Sequence, residues 1–257
     1  MPGMPLGDRM KAREASAGNL LPPRMPAVLR VDGRAFHTFT RGFDSPFDGI
    51  IEACMDRVAT ALCEEIGTAR LAYGQSDEVS VLLVDYANLG TEQWFGGRRS
   101  KMESTAASIA TAAFNEALHE AWLSSLNPDR SRFLRSKLFR AHFDARVFPV
   151  PTDDAINYFF WRQRDAVRNS VLTAGQASLP RRQMHGMKCD DVKVALAELG
   201  RPWEELPVRR QRGFAVARAP SSRTTSAWTI DREPPVFGED RAYVGRWLDA
   251  EIAEGGV

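Results

Sequence analysis

The stretch RLAYGQSDEVSVLLVDY, residues 70–86, decides the fold. Two short runs rich in apolar and β-branched residues flank the polar centre GQSDE, a pattern that predicts a β-hairpin. Upstream, AVLRVDG (27–33) is a short apolar run closed by glycine and reads as a strand. Between the two, Ile50, Ile51, Cys54, Val58, Ala61, Leu62 and Ile66 recur at helical spacing before Gly67. Downstream, RSKMESTAASIATAAFNEALHEAWLSSL (99–126) predicts a second long helix whose Ala/Ser-rich first half suits close packing on a sheet. HFDARVFPVP (142–151) predicts a fourth strand closed by prolines. The order β, α, β, β, α, β is that of the ferredoxin-like split βαβ unit. The predicted class is α+β, an antiparallel sheet with helices on one face.

The predicted division is a sheet-bearing domain over 1–150, a helical region over 151–218, and a linker with a C-terminal segment over 219–257. TDDAINYFFWRQRDAVRNSVLTAG (152–175) opens with acids suited to a helix start and carries aromatic and basic residues. HGMKCDDVKVALAELG (185–200) predicts a small helix, APSSRTTS (219–226) a linker, and YVGRWLDAEIAE (243–254) a last amphipathic stretch.

Composition limits what such a chain can do. The 257 residues are 44% hydrophobic and 26% charged, ordinary for a globular protein long enough to bury a full core. A net charge of +1 means that a nucleic-acid surface must come from local clusters of Lys and Arg. Three cysteines form no CxxC pair, and four scattered histidines with no HExxH argue against a histidine-built zinc site. No apolar run reaches the roughly 20 residues of a membrane span, and MPGMPLGDRMK lacks a signal-peptide core, so the expected location is the cytoplasm.

The acids carry the chemistry. Asp32 ends the first strand, and Asp77 and Glu78 lie at the hairpin turn, so residues far apart in sequence can converge. Successive side chains on an extended backbone face opposite ways, so Asp77 and Glu78 are not expected to serve one site. Hard carboxylate oxygens, with the Gly33 carbonyl, suit Mg²⁺, and two such ions support phosphoryl or nucleotidyl transfer. The N–H groups of Arg34, Ala35 and Phe36 are a candidate anion nest for a triphosphate. Phe36 and His37 either flank a base or fill core and surface. Arg98, Arg99 and Lys101, near the start of the second long helix, either face phosphate or form a solvated face.

RVDGRAFHTFTRGFDSPFD (30–48), YGQSDEVSVLL (73–83), SKMESTAAS (100–108) and NYFFWRQRDAVRNS (157–170) follow one another in an order that resembles the tRNA-His guanylyltransferase family. LGDRMK (6–11) and MHGMKCDDV (184–192) extend the resemblance to its bacterial and archaeal, guanylyltransferase-like branch. The resemblance implies a palm domain, as in polymerases and nucleotide cyclases, that adds nucleotides to the 5′ end of tRNA in the 3′-to-5′ direction. It implies two Mg²⁺ ions on Asp32, the Gly33 carbonyl and Asp77, ATP to activate a 5′-monophosphate, and GTP or another NTP whose 3′-hydroxyl attacks. Ser76, Arg34, Ala35, Phe36 and His37 match nucleotide contacts, Lys101 and Arg98 match phosphate contacts, and Asp48 falls in the nucleotide-binding motif. Arg162, Arg164, Arg168 and Asn169 would meet the tRNA, and a homotetramer is implied.

Two departures stand out. SPFD replaces the family's KPND, with Ser45 for lysine, and Val167, Arg168, Asn169 and Ser170 occupy the place of HINN, a motif tied to selecting tRNA-His. The second favours templated repair of 5′-truncated tRNA over guanylylation of one tRNA. The rivals are a palm-domain nucleotide cyclase and a non-catalytic RNA-binding protein.

Overall fold

The structure, a computed structural model, describes residues 19–88, 90–218 and 227–249. Six strands, β1 (Ala27–Gly33), β2 (Ala69–Gln75), β3 (Glu78–Leu83), β4 (Phe143–Pro149), β5 (Phe214–Arg218) and β6 (Trp228–Asp231), form one sheet. Their order is β4-β1-β3-β2-β5-β6 and every neighbouring pair is antiparallel. The first four strands have the ferredoxin-like order and the hairpin lies where the sequence predicts it. The register sets Ala27 opposite Leu83 at one end of the sheet and Asp32 opposite Glu78 at the other.

Strand alternation sorts the core into two sides. Leu29 and Val31 of β1 and Val79 and Val81 of β3 join a cluster with α2 (Gly49–Glu65) and α3 (Arg99–Leu123). On α3 the buried stripe includes Ala106, Ala110 and Ala113 with Met102, Phe114 and Leu118, so small side chains let the helix lie close to its neighbours. Val28 and Leu82 face the other way, against Ala155, Phe159 and Ala166 of α5 (Thr152–Ser178). The two helices of the βαββαβ unit, α2 and α3, lie on one face as expected, and α5, from the helical region expected after residue 150, covers the other. Strands β5 and β6 extend the same sheet, so the expected boundary at residue 150 separates elements that share one sheet. Residues 219–226 of the expected linker and the end of the last amphipathic stretch lie outside the described residues.

A 27-residue helix is about 40 Å long, whereas seven-residue strands span about 23 Å. The far half of α5 therefore runs past the sheet, where Val171 and Ala174 pack on α7 (Cys189–Glu198) and Trp203. Around these lie α1 (Phe36–Phe39), α4 (Pro128–Lys137), α6 (Arg181–Met184), α8 (Val208–Arg212) and α9 (Ala242–Gly245). Arg209 and Arg210 of α8 and Arg232 after β6 pair with Asp56 and Glu52, tying the C-terminal part of the chain to α2.

Candidate active site

The chain leaves β1 at Gly33 and turns at once into α1, while the turn between β2 and β3 holds only Ser76 and Asp77. Both turns open on the same end of the sheet. The Gly33 N–H donates to the Asp77 carbonyl (3.1 Å), which brings the two acids' segments together. A Cβ at position 33 would sit 2.7 Å from Phe36 Cγ and 3.0 Å from Asp77 Oδ2, so glycine here makes room for both the ring and the carboxylate.

Asp77 is partly buried, and burial together with the charge of Asp32 pushes its carboxyl up to about 6. The Ser76 hydroxyl, donating to Asp77 Oδ1 at 3.0 Å, opposes that shift. Two carboxylates whose charges act on each other without a cation between them repel, and a bound cation would offset the repulsion. Among the described residues no group of three His, Cys, Asp or Glu side chains is placed to hold a metal. Two carboxylates plus backbone oxygen nevertheless fit Mg²⁺, which keeps several waters and takes oxygens from substrate phosphates.

Glu78 belongs to a different structure. Arg162 of α5 donates to it in a two-pronged bond, Nε to Oε1 at 2.7 Å and Nη2 to Oε2 at 2.8 Å, and Arg30 Nη1 lies 3.7 Å away. Ser80 and Tyr158 extend the network, their hydroxyls 3.0 Å apart. Burial raises the Glu78 carboxyl, and Arg162 and Arg30 oppose the shift. The separation of duties between Asp77 and Glu78 expected from strand geometry is what the structure has. Arg162, expected on an RNA-facing surface, is 5% exposed and committed to Glu78 and Asp165. Arg164, Arg168 and Asn169 are exposed on α5, with Arg168 about 9 Å farther along the helix than Arg162.

The segment after Asp32 divides its roles. Arg34 N–H donates to the His142 carbonyl at 2.8 Å, so it is not free for an anion. Ala35 adopts the left-handed conformation (φ 51, ψ 37), and the N–H groups of Ala35, Phe36 and His37 find no backbone acceptor among the described residues. The Phe36 ring is buried against Phe39, Phe114 and Phe143, which settles its side chain as core and leaves only its backbone to the site. His37 is exposed, its Nε2 3.1 Å from Thr38 Oγ1.

Asp48, placed with the nucleotide contacts by its motif, is a helix cap. Its Oδ1 accepts from the Ile50 N–H at 2.8 Å, and its Oδ2 accepts from the Asp44 N–H and from Arg130. These donors hold its carboxyl below the usual range against the effect of burial. In this arrangement Asp48 serves as the cap of α2 and the partner of Arg130. Asp48→Ala is expected to lower stability by about 1–2 kcal/mol in urea unfolding, from loss of the cap and of the Arg130 pair.

Arg98 and Lys101 are not brought to the acids. The start of α3 packs near Ala27 and Leu83, and Glu103 accepts from the Val147 N–H beside Leu29. That end of β1 is about 17 Å from Asp32. Lys101 Nζ lies instead 4.5 Å from the Phe95 ring centroid.

An antiparallel sheet that delivers two acids to one end, beside a glycine and free backbone donors, with helices behind, has the arrangement of a palm-type nucleotidyltransferase. The chain belongs to the tRNAHis guanylyltransferase (Thg1) family, whose family model matches residues 7–151. A bacterial tRNA(His) guanylyltransferase-like protein solved with ATP is 36% identical and superposes with a TM-score of 0.85, covering 96% of this chain and 100% of that one. A bacterial guanylyltransferase-like protein solved with GTP is 34% identical, with a TM-score of 0.77 over 95% of this chain and 99% of that one. A probable tRNA(His) guanylyltransferase of Dictyostelium discoideum is 28% identical over 77% of each chain. No helix among the described residues is long and apolar enough to cross a membrane.

Proposed function

We propose that this enzyme extends the 5′ end of tRNA in the 3′-to-5′ direction, and that its role is templated repair of 5′-truncated tRNA. The observation that carries the reading is the convergence of Asp32 and Asp77 beside Gly33, with Asp77 raised to about 6 by burial and by the charge of Asp32. It is supported by the ATP and GTP bound in two similar bacterial proteins.

In this reading Asp32 and Asp77 hold Mg²⁺, two ions in all, which when bound lower the barrier to attack by a hydroxyl and offset charge on the leaving phosphates. Asp77 is kept in place by the Ser76 hydroxyl and by the hairpin. The N–H groups of Ala35, Phe36 and His37 orient the triphosphate of GTP or another NTP, or of ATP where a 5′-monophosphate needs activation. The exposed cations Arg164 and Arg168, with Asn169, meet the RNA backbone, which positions it without reading sequence. Val167 to Ser170, in place of HINN, give the helix no histidine with which to select tRNA-His. A cytoplasmic homotetramer is part of the same proposal.

The test is extension of 5′-labelled tRNA with Mg²⁺ and all four NTPs, comparing full-length tRNA-His with a tRNA lacking its first nucleotide. Restoration of the templated nucleotide is the expected result. Addition of one G to tRNA-His alone would replace repair with the narrower guanylyltransferase role, and no extension of either RNA by folded protein would remove the catalytic reading.

A further inference from the structure

Beyond Gly33, on the side of the sheet end that carries Asp32 and Asp77, three cations lie close along the chain to one contact. Arg41 follows Phe39 by two residues, the Arg140 N–H donates to the Lys137 carbonyl at 3.3 Å, and none of the three is in an ion pair among the described residues. Lys137, the last residue of α4, donates from Nζ to the Phe39 carbonyl at the end of α1 (2.5 Å). Its ammonium lies 5.4–5.8 Å from the ring centroids of Phe39, Phe43 and Phe133. Arg41 and Arg140 are exposed, and both act on Lys137: its ammonium is drawn below its ordinary range by desolvation, then by Arg140 and Arg41.

The acids of these elements are engaged elsewhere, Asp48 with Arg130 and Asp129 with Arg132. Asp44 is exposed and forms no ion pair with any of the three among the described residues. Like charges held together with no counter-charge cost energy that an anion would recover.

Position gives the anion its chemistry. Lys137 grips the last residue of α1, and the free N–H groups lie at its first turn, about 6 Å away. The chain after α4 returns through the His142 carbonyl, which accepts from Arg34. Whatever anion occupies the cluster is therefore next to whatever occupies the N–H groups, on the side away from Gly33. Arg41 and Arg140 stand at the surface, open to a long polyanion passing over the molecule.

We infer that Arg41, Lys137 and Arg140 form a phosphate-binding site beside the nucleotide site, and that it holds a backbone phosphate of the RNA strand in preference to the triphosphate of the entering nucleotide. This rests on RNA being the substrate.

The variant is Arg41→Gln with Arg140→Gln, two exposed residues without carboxylate partners among the described residues. Fluorescence anisotropy of labelled tRNA across a KCl series should show binding weakened about tenfold or more, with the salt slope reduced by about 1–2. The KM for NTP should stay unchanged, and the melting temperature should hold or rise as repulsion is relieved. A raised KM for NTP with tRNA binding intact would keep the phosphate site and overturn its assignment to the strand. Unchanged tRNA binding and unchanged KM would overturn the site. Asp77→Ala, run in parallel, should bind tRNA as wild type does while losing extension. Should wild-type protein fail to extend tRNA, titration with inorganic tripolyphosphate separates the two ideas. A thermal shift present in wild type and lost in the double variant would keep the site without the proposed reaction, and no shift in either would remove it.

Discussion

Asp77→Asn should abolish 5′ extension, by at least about a thousandfold, and at the same time raise the melting temperature of the metal-free protein. The loss follows from removing a carboxylate charge where Mg²⁺ is proposed to bind. The gain follows from linkage. The folded-state value of Asp77, about 6, lies above its ordinary value of 3.8, so the folded protein holds this proton more tightly than the unfolded chain. The stability tied to that proton is full below pH 4 and is lost as pH rises through about 6. At pH 7.5 wild-type protein therefore carries a cost of about 3 kcal/mol that asparagine lacks, worth roughly 8 °C. Asparagine keeps an oxygen to accept from Ser76. Scanning calorimetry at pH 7.5 without metal checks the gain, and at pH 4 the two proteins should melt together. Added Mg²⁺ should stabilise wild type and not the variant. An Asp77→Asn protein no more stable than wild type at pH 7.5 would mean that neither burial nor the charge of Asp32 raises Asp77.

Arg162→Ala should destabilise the protein by about 3–5 kcal/mol, the cost of leaving Glu78 buried without its partner. The midpoint of urea unfolding should fall accordingly, with the slope unchanged. Arg162→Met combined with Glu78→Leu should recover part of the loss, since the two-pronged pair is removed whole, while Arg30 and Asp165 each lose a partner. Were Arg162 an RNA contact, the single variant would instead keep its stability and lose about 1 in the salt slope of tRNA binding. The pair also anchors the first residue of β3 to α5, one residue from Asp77, so the double variant should fold and still turn over slowly.

The part of this molecule legible in its sequence is the part whose signals are local. The β1 run ending in glycine, the alternation either side of GQSDE, and the Ala-rich periodicity of 99–126 each state an element and its partner face. The family motifs then place Asp32 and Asp77 at converging ends. Strands β5 and β6 escaped because five and four residues give too little alternation to read, and their place at the sheet edge is set by pairing with β2. The capping role of Asp48 was in view as an acid directly before an apolar-periodic helix, a signal overridden by the motif around it. Arg162 was in view too: it shares the helical spacing of Ala155, Phe159, Ala166 and Ser170, all buried. Lys101 and Arg98 could not be placed, because which end of the sheet a helix starts from depends on the path of residues 84–98.

The two-residue turn between β2 and β3 also limits how this chain can change in length. One residue added to or removed from it would shift β3 by one position and exchange its faces. Val79 and Val81 would leave the core, and Glu78 would turn from Arg162. Insertions and deletions are therefore barred from 75–78, and working versions of this fold that differ in length should differ in connections such as 84–98, away from the acids.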